Sequence, residues 1–264
     1  MESAPMVSVI MPAYNSAAYI SEAIGSVLQQ TYPHWELLVI DDASTDNTIS
    51  LVEEQSKRDS RIKLTKNIDN QGPGFSRNAG IEVAKGDFIA FLDSDDLWLP
   101  VKLERQLNLM KENDLTMCFS SYLLMDEQGN RIPRMIEALP VLTYEKLLRS
   151  NYVGNLTAIY DVRKTGKIYA PELRKRQDWG LWLTILWKFG PAHGILEPLA
   201  IYRIREESLS RNKYSLVRHN YRIYRDFLNF GYLKSIFFMG RFLWEHFMVK
   251  SRQEIPLDEG GKLL

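Results

Sequence analysis

The chain of 264 residues has one cysteine, four histidines and no net charge, and each scarcity removes a class of explanation. A lone Cys118 cannot close an intramolecular disulfide, which suits a reducing compartment and a small buried strand residue. His34, His193, His219 and His246 are scattered without the spacing of metal ligands. With 33 basic and 33 acidic residues there is no general attraction for nucleic acid. Residues 1–6 lack a basic stretch followed by an apolar run, so no signal peptide is expected and the chain reads as cytoplasmic. No run reaches the roughly 18 apolar residues of a membrane span. The closest, residues 236–249, is broken by Arg241 and Glu245. Repeats and low-complexity tracts are absent too, and the composition that is left is that of a globular chain able to bury a full core.

Strand and helix patterns alternate through the first hundred residues. The apolar stretches at 7–11, 35–40, 61–64 and 88–92 read as strands, and residues 18–30, 44–57 and 75–84 carry helical periodicity, with Ser44 or Thr45 placed to cap the second helix. Such alternation predicts right-handed crossovers and a mostly parallel sheet covered on both faces, and ligands of such sheets gather beyond the carboxyl ends of the strands. Along that edge fall Pro12-Ala13-Tyr14-Asn15, Asp41-Asp42, the loop 72–77 and Asp93-Ser94-Asp95-Asp96. A helix from Pro100 to about Asn113 shows the charge distribution of an ordinary solvated face. The parallel pattern stops at residue 116. A hairpin over 116–136, a short helix at 144–150, a strand at 157–160, a helix after Asp178 and an extended stretch at 199–204 complete this part.

Asp93-Ser94-Asp95-Asp96 closes the apolar run Phe88-Ile89-Ala90-Phe91-Leu92. Three clustered acids repel one another unless a cation relieves them, and Mg²⁺ or Mn²⁺ commonly sits between one or two carboxylates and substrate phosphates. The other reading is a solvated acidic turn leading into the next helix. Gly72-Pro73-Gly74-Phe75-Ser76-Arg77 is a poor dinucleotide fingerprint, because Arg77 holds the last position and the loop follows the third strand. Asp42-Ala43-Ser44-Thr45-Asp46 lacks the central Gly and terminal Glu of a calcium loop. From about Tyr214 the chain turns helical, basic and aromatic. Either it lies on a membrane surface, or its aromatics pack a helical hairpin on the domain while its bases stay in water.

Taken together, residues 9–15, 39–46, 70–78 and 91–96, with Gln177-Asp178-Trp179-Gly180-Leu181-Trp182-Leu183 and Tyr202-Arg203 followed by Ser208-Leu209-Ser210, resemble the inverting glycosyltransferases of family 2. Six ordered blocks are far more specific than any one motif. The resemblance covers residues 6–212 and implies a GT-A fold, an α/β Rossmann-like sheet flanked by helices, for a catalytic domain at 1–212 with a nucleotide-binding half to about 115 and an acceptor half beyond. The chain after it is not covered, and its own pattern and composition give a C-terminal helical extension at 213–253 and a disordered tail at 254–264.

The resemblance also implies the reaction, transfer of a sugar from a nucleotide donor, expected to be UDP-linked, to the hydroxyl of a glycan or lipid-linked acceptor, as in envelope or capsular polysaccharide assembly at the inner face of the cell membrane. Pro12, Tyr14, Asn15, Asp41, Asp42 and Arg77 would hold the nucleotide. Asp93 would face the ribose, Ser94 would also belong to the donor site, and Asp95, with Asp93, would bind Mn²⁺ or Mg²⁺. Asp178 would be the base, unless it merely caps its helix. Gln177 stands where members often carry Glu. Arg205 stands near a position that members often give to His, and an Arg can clamp phosphate oxygens but cannot ligate a cation. A nucleotidyltransferase would carry a Gly-rich basic loop after the first strand, and a non-catalytic nucleotide-sugar-binding protein would not need Asp178.

Overall fold

The computed structural model describes residues 4–173, 175–205 and 213–258. The buried strands β1 (Val7–Ala13), β2 (Trp35–Asp41), β3 (Ile62–Lys66) and β4 (Phe88–Phe91) lie parallel in the order β3-β2-β1-β4. The helices α1 (Ile20–Leu28), α2 (Thr48–Arg58) and α3 (Pro73–Val83) make the crossovers. The period of two along β1 divides the core. Val7, Val9 and Met11 join Ile20, Ile24 and Val27 of α1 in one apolar cluster, whereas Ile10 joins Ile81 of α3 in the other. Gly80 lets α3 seat directly on β1, since a Cβ there would stand 2.5 Å from Ile10.

Pro12 lies inside β1 rather than ending it. β4 pairs only with residues up to Ile10, whose carbonyl accepts the Leu92 N–H, so the donor missing at Pro12 falls beyond the end of β4. Helix α2 starts later than its expected cap. Asp46 accepts the Thr48 N–H at 2.9 Å, while the Ser44 hydroxyl and the Thr45 N–H instead bond to Asn15, which ties the loops after β1 and β2 together.

The second half continues the sheet as mixed strands. β5 (Leu97–Trp98), α4 (Lys102–Glu112), β6 (Met117–Met125), β7 (Arg131–Ile136), β8 (Val141–Leu142), α5 (Tyr144–Leu147), β9 (Ile159–Asp161), α6 (Val162–Thr165), α7 (Gln177–Phe189) and β10 (Ala192–Arg203) follow in order. β9 runs antiparallel to β4 and β6, and β10 runs parallel to β6, which brings the end of β10 back to β5. Helix α4 departs from its expected solvated character at Lys102. That residue is fully buried, hydrogen-bonds the Gln106 side chain and lies over the Trp98 ring, and burial pushes its pKa down to about 7.

The segment holding α8 (Lys213–Arg222) and α9 (Tyr232–Trp244) packs on the domain. Ile223, Tyr224, Met239 and Phe242 share a cluster with Trp179 and Trp182 of α7, so a helical hairpin does cover the domain. The opposite side of α9 stays in water, with Leu233, Phe237 and Trp244 at 82%, 58% and 64% exposure. The tail, expected to lack order from Glu254 onward, instead adds β11 (Glu254–Pro256) antiparallel to β7, because that edge offers unpaired backbone groups. Residues 259–264 lie outside the described chain.

Candidate active site

The carboxyl ends of β1, β2 and β4 carry the acidic loops, and a chain of polar contacts joins them. Asp41 is fully buried at the end of β2. One of its oxygens accepts the Ser44 N–H at 2.9 Å, and the other has no partner among the described residues. Asp42 is fully engaged with the loop before α3, accepting from the Asn67 side chain at 2.8 Å, the Gln71 N–H at 3.1 Å and the Gly72 N–H at 2.6 Å. That loop presents Arg77, which is 8% exposed and ion-paired to Asp93 at 2.6 Å, while its Nε is buried without a partner among the described residues. Burial opposes the guanidinium charge, but Asp93 outweighs it, helped by Asp178 and Asp96, and holds the group more firmly protonated than usual. Arg77 thus feels carboxylates from both halves of the sheet.

The four residues after Leu92 divide by partner. The Ser94 hydroxyl is buried against that of Ser16 at 2.7 Å, so its side chain supports the loop after β1. Asp96 is buried and accepts the Arg203 N–H at 2.9 Å, anchoring the turn to the end of β10. Asp93 and Asp95 stay partly open, and Asp95 accepts from Arg205 at 3.0 Å. Burial, then the Asp93 charge, raises the Asp95 pKa in spite of Arg205. Burial and both neighbouring acids raise Asp96 well above the usual carboxylate range. The repulsion among these acids is therefore incompletely relieved, and the hard oxygen donors of Asp93 and Asp95 fit Mn²⁺ or Mg²⁺ completed by phosphate and water. Among the described residues no group of three or more His, Cys, Asp or Glu side chains forms a metal cage.

Asp178 sits in the first turn of α7 and does not act as its cap. The N-cap position is Arg176, at φ 69°, and Asp178 instead accepts from the Asn151 amide at 2.8 Å. Gln177 packs against α3 so closely that a Cβ at Gly74 would lie 2.7 Å from it, which docks the helix carrying Asp178 beside the helix carrying Arg77. Trp179 and Trp182 are both buried in the core, so neither is free to stack on a sugar. Tyr14 is exposed beside the crevice. Ser208, Ser210 and Arg211 lie outside the described residues.

Sequence reasoning missed two residues. Arg203 is 3% exposed and staples the acidic turn, donating to the Asp95 carbonyl at 2.9 Å and to Glu22 at 2.6 Å. Its place in the Tyr202-Arg203 block was the available signal. Asn151, the partner of Asp178, has no local pattern that would have singled it out.

Residues 8–165 match the family model described as glycosyl transferase family 2. The chain belongs to that family. TuaG of Bacillus subtilis, a glycosyltransferase whose name assigns it to teichuronic acid biosynthesis, is 39% identical to this glycosyltransferase over 231 residues, covering 88% of this chain and 92% of that one. WfgD of Escherichia coli, a UDP-Glc:alpha-D-GlcNAc-diphosphoundecaprenol beta-1,3-glucosyltransferase, is 39% identical over 226 residues, covering 84% and 87%. S. aureus TarS 1-349 in complex with UDP-GlcNAc superposes with a TM-score of 0.69 at 25% identity, over 92% of this chain and 73% of that one. The mannosyltransferase PcManGT of Pyrobaculum calidifontis, in complex with GDP-Man and Mn²⁺, shares the fold at a TM-score of 0.64 and 18% identity, over 94% and 72%. The GT-A fold expected of the family is the fold observed.

Proposed function

We propose that this glycosyltransferase moves a sugar from a UDP-linked donor, with inversion, to a hydroxyl of a lipid-linked glycan in envelope polysaccharide synthesis. The observation that carries the reading is the position of Arg77, ion-paired to Asp93 on the donor side and within the electrostatic reach of Asp178 on the acceptor side. Pro12, Tyr14, Asn15 and Asp41 frame the base, the unpaired Asp41 oxygen accepting its imide proton, while Asp42 fixes the loop that presents Arg77. Asp93 faces the ribose, with Ser94 holding the loop beneath it. Arg205 swings from Asp95 to a phosphate oxygen when the donor enters. Asp95 and Asp93 would hold Mn²⁺ or Mg²⁺, which when bound neutralises the departing diphosphate. Asp178 takes the proton of the acceptor hydroxyl while that oxygen forms its bond to the anomeric carbon and the bond to the diphosphate breaks. The UDP-linked donor and lipid-linked acceptor of WfgD, and the UDP-GlcNAc bound to TarS, support the substrate classes.

Two variants test the assignment. Asp178→Asn is expected to keep UDP binding, read as thermal stabilisation, while transfer falls by about 10²–10⁴. Asp95→Ala is expected to lose the Mn²⁺-dependent part of that stabilisation. Transfer by Asp178→Asn at the unmodified rate would refute the base.

Peripheral membrane contact belongs to the same reading. Among the described residues no helix is long and apolar enough to cross a bilayer. The exposed Leu233, Phe237, Trp244 and Phe247 recur at helical spacing along α9 and its last turns, with Lys234 and Arg241 beside them, as in a helix lying in an interface. Co-sedimentation with anionic vesicles is expected for the intact chain and reduced several-fold by Phe237→Ser with Trp244→Ser. Equal sedimentation of both would count against it.

A further inference from the structure

A groove of about 590 Å³ opens between α5 and α9, and it is lined by Lys146, Arg149, Phe237, Arg241, Trp244 and Glu245. Its charges do not balance. Glu245 is buried and already accepts from Lys146 and from the Tyr152 hydroxyl, and these bonds hold its carboxyl below the usual range although burial opposes them. Arg149 adds its charge to that of Lys146 in keeping Glu245 ionised but forms no ion pair with it, and the Arg241 guanidinium lies over the Phe237 ring at 5.7 Å, so three cations face one carboxylate that Lys146 already holds. Two guanidinium groups free to fork onto oxygens, set beside exposed aromatic rings, match a ligand that is phosphate at one end and hydrocarbon at the other. The apolar side of the groove runs into the exposed face of α9.

The groove also shares a wall with the candidate base. Arg149 stands two residues before Asn151, whose amide donates to Asp178 at 2.8 Å. Tyr152, the next residue, bonds Glu245 in the groove, and Lys250 bonds the Asn151 carbonyl. A phosphate held by Arg149 therefore lies beside the segment that orients Asp178.

We propose that this groove binds the phosphate groups of the lipid-linked acceptor, with Arg149 and Arg241 on the phosphate oxygens and Phe237 and Trp244 against the first carbons of the lipid. The proposal rests on the reading of the chain as a transferase to a lipid-linked glycan. Its test is equilibrium binding of farnesyl diphosphate in saturating UDP, so that the donor site is closed to the probe. Saturable binding is expected, weakened at least 10-fold by Arg149→Gln with Arg241→Gln, and farnesol is expected to bind at least 10-fold more weakly than its diphosphate. UDP-induced thermal stabilisation of the double variant reports that it is folded, and either single variant serves if the double is not. Equal affinity of the unmodified chain and the variants would overturn the groove assignment, as would equal affinity for farnesol. So would arginine-dependent binding to phosphatidylglycerol vesicles without binding of farnesyl diphosphate, which would make the groove a headgroup site for the bilayer. Failure of UDP to stabilise the unmodified chain would instead overturn the transferase reading.

Discussion

Asn151 is the residue on which Asp178 depends for its orientation, since its amide is the hydrogen-bond partner that keeps the carboxylate off the helix end. A hydrogen bond to a charged group contributes about 1.5–3 kcal/mol. Asn151→Ala is accordingly expected to lower kcat by about 10- to 100-fold while leaving the KM for the donor within about two-fold, as steady-state kinetics with varied donor would read. A rise in donor KM with kcat intact would show that Asn151 shapes the donor site instead. The contrast with the acidic residues explains what a sequence can disclose. Asp41, Asp93 and Asp95 were legible because each follows an apolar strand, so its place at the carboxyl edge is a local consequence of the pattern. Asn151 acts across 27 residues of sequence, between a loop and the first turn of α7, and nothing local encodes that meeting. Arg203 reaches even further, from β10 back to Glu22, 181 residues away.

Helix α4 shows the same limit for an element. Its extent was readable, but Lys102 sits where the helix meets Trp98 and Gln106, and burial there holds its pKa to about 7. An unfolded lysine titrates near its ordinary value of about 10.4. Between pH 7 and pH 10 the unfolded chain therefore keeps a proton that the folded chain has shed, and this group makes stability rise with pH by up to about 1.4 kcal/mol per unit. Below pH 7 both states are protonated and the full cost of burying the charge remains. Lys102→Met, similar in volume, is expected to stabilise the protein most at pH 6, with an advantage that shrinks toward pH 10, as urea denaturation at several pH values would read. An advantage that does not change with pH would mean that the ammonium stays protonated inside the fold. The parallel strands of the first half were legible from their unbroken apolar runs. Of the long β10 only the end at 199–203 was legible, because register shifts between Ile195 and Ala200 interrupt its pairing with β6 and blur the alternation before it.

For the whole molecule, the chain after residue 212 resembles an appendage in sequence yet closes the core. Trp179, the residue after the candidate base, lies edge-on to Tyr224 at 5.8 Å and against Phe242 at 5.8 Å, and the Tyr224 hydroxyl donates to the Leu148 carbonyl. Removing residues 232–264 would uncover Trp179 and Tyr224, delete Met239 and Phe242 from the cluster, and leave Lys146 without Glu245. Loss of one large buried side chain costs about 2–5 kcal/mol, and a domain is stable by only about 5–15 kcal/mol, so losing two of them with the covering helix should consume most of that margin. The truncated chain is expected to be largely insoluble, or to melt at least about 10 °C below the full chain by circular dichroism. Substitutions on the outward face, such as Phe237→Ser and Trp244→Ser, are expected to leave the melting temperature within a few degrees, because those rings are mostly in water. If the truncated chain melted with the full one, residues 232–264 would be separable and their contacts would add nothing to the fold. If it fails while the surface substitutions do not, the one helix has two duties on opposite faces: its inner side completes the core behind Asp178, and its outer side is left for a lipid.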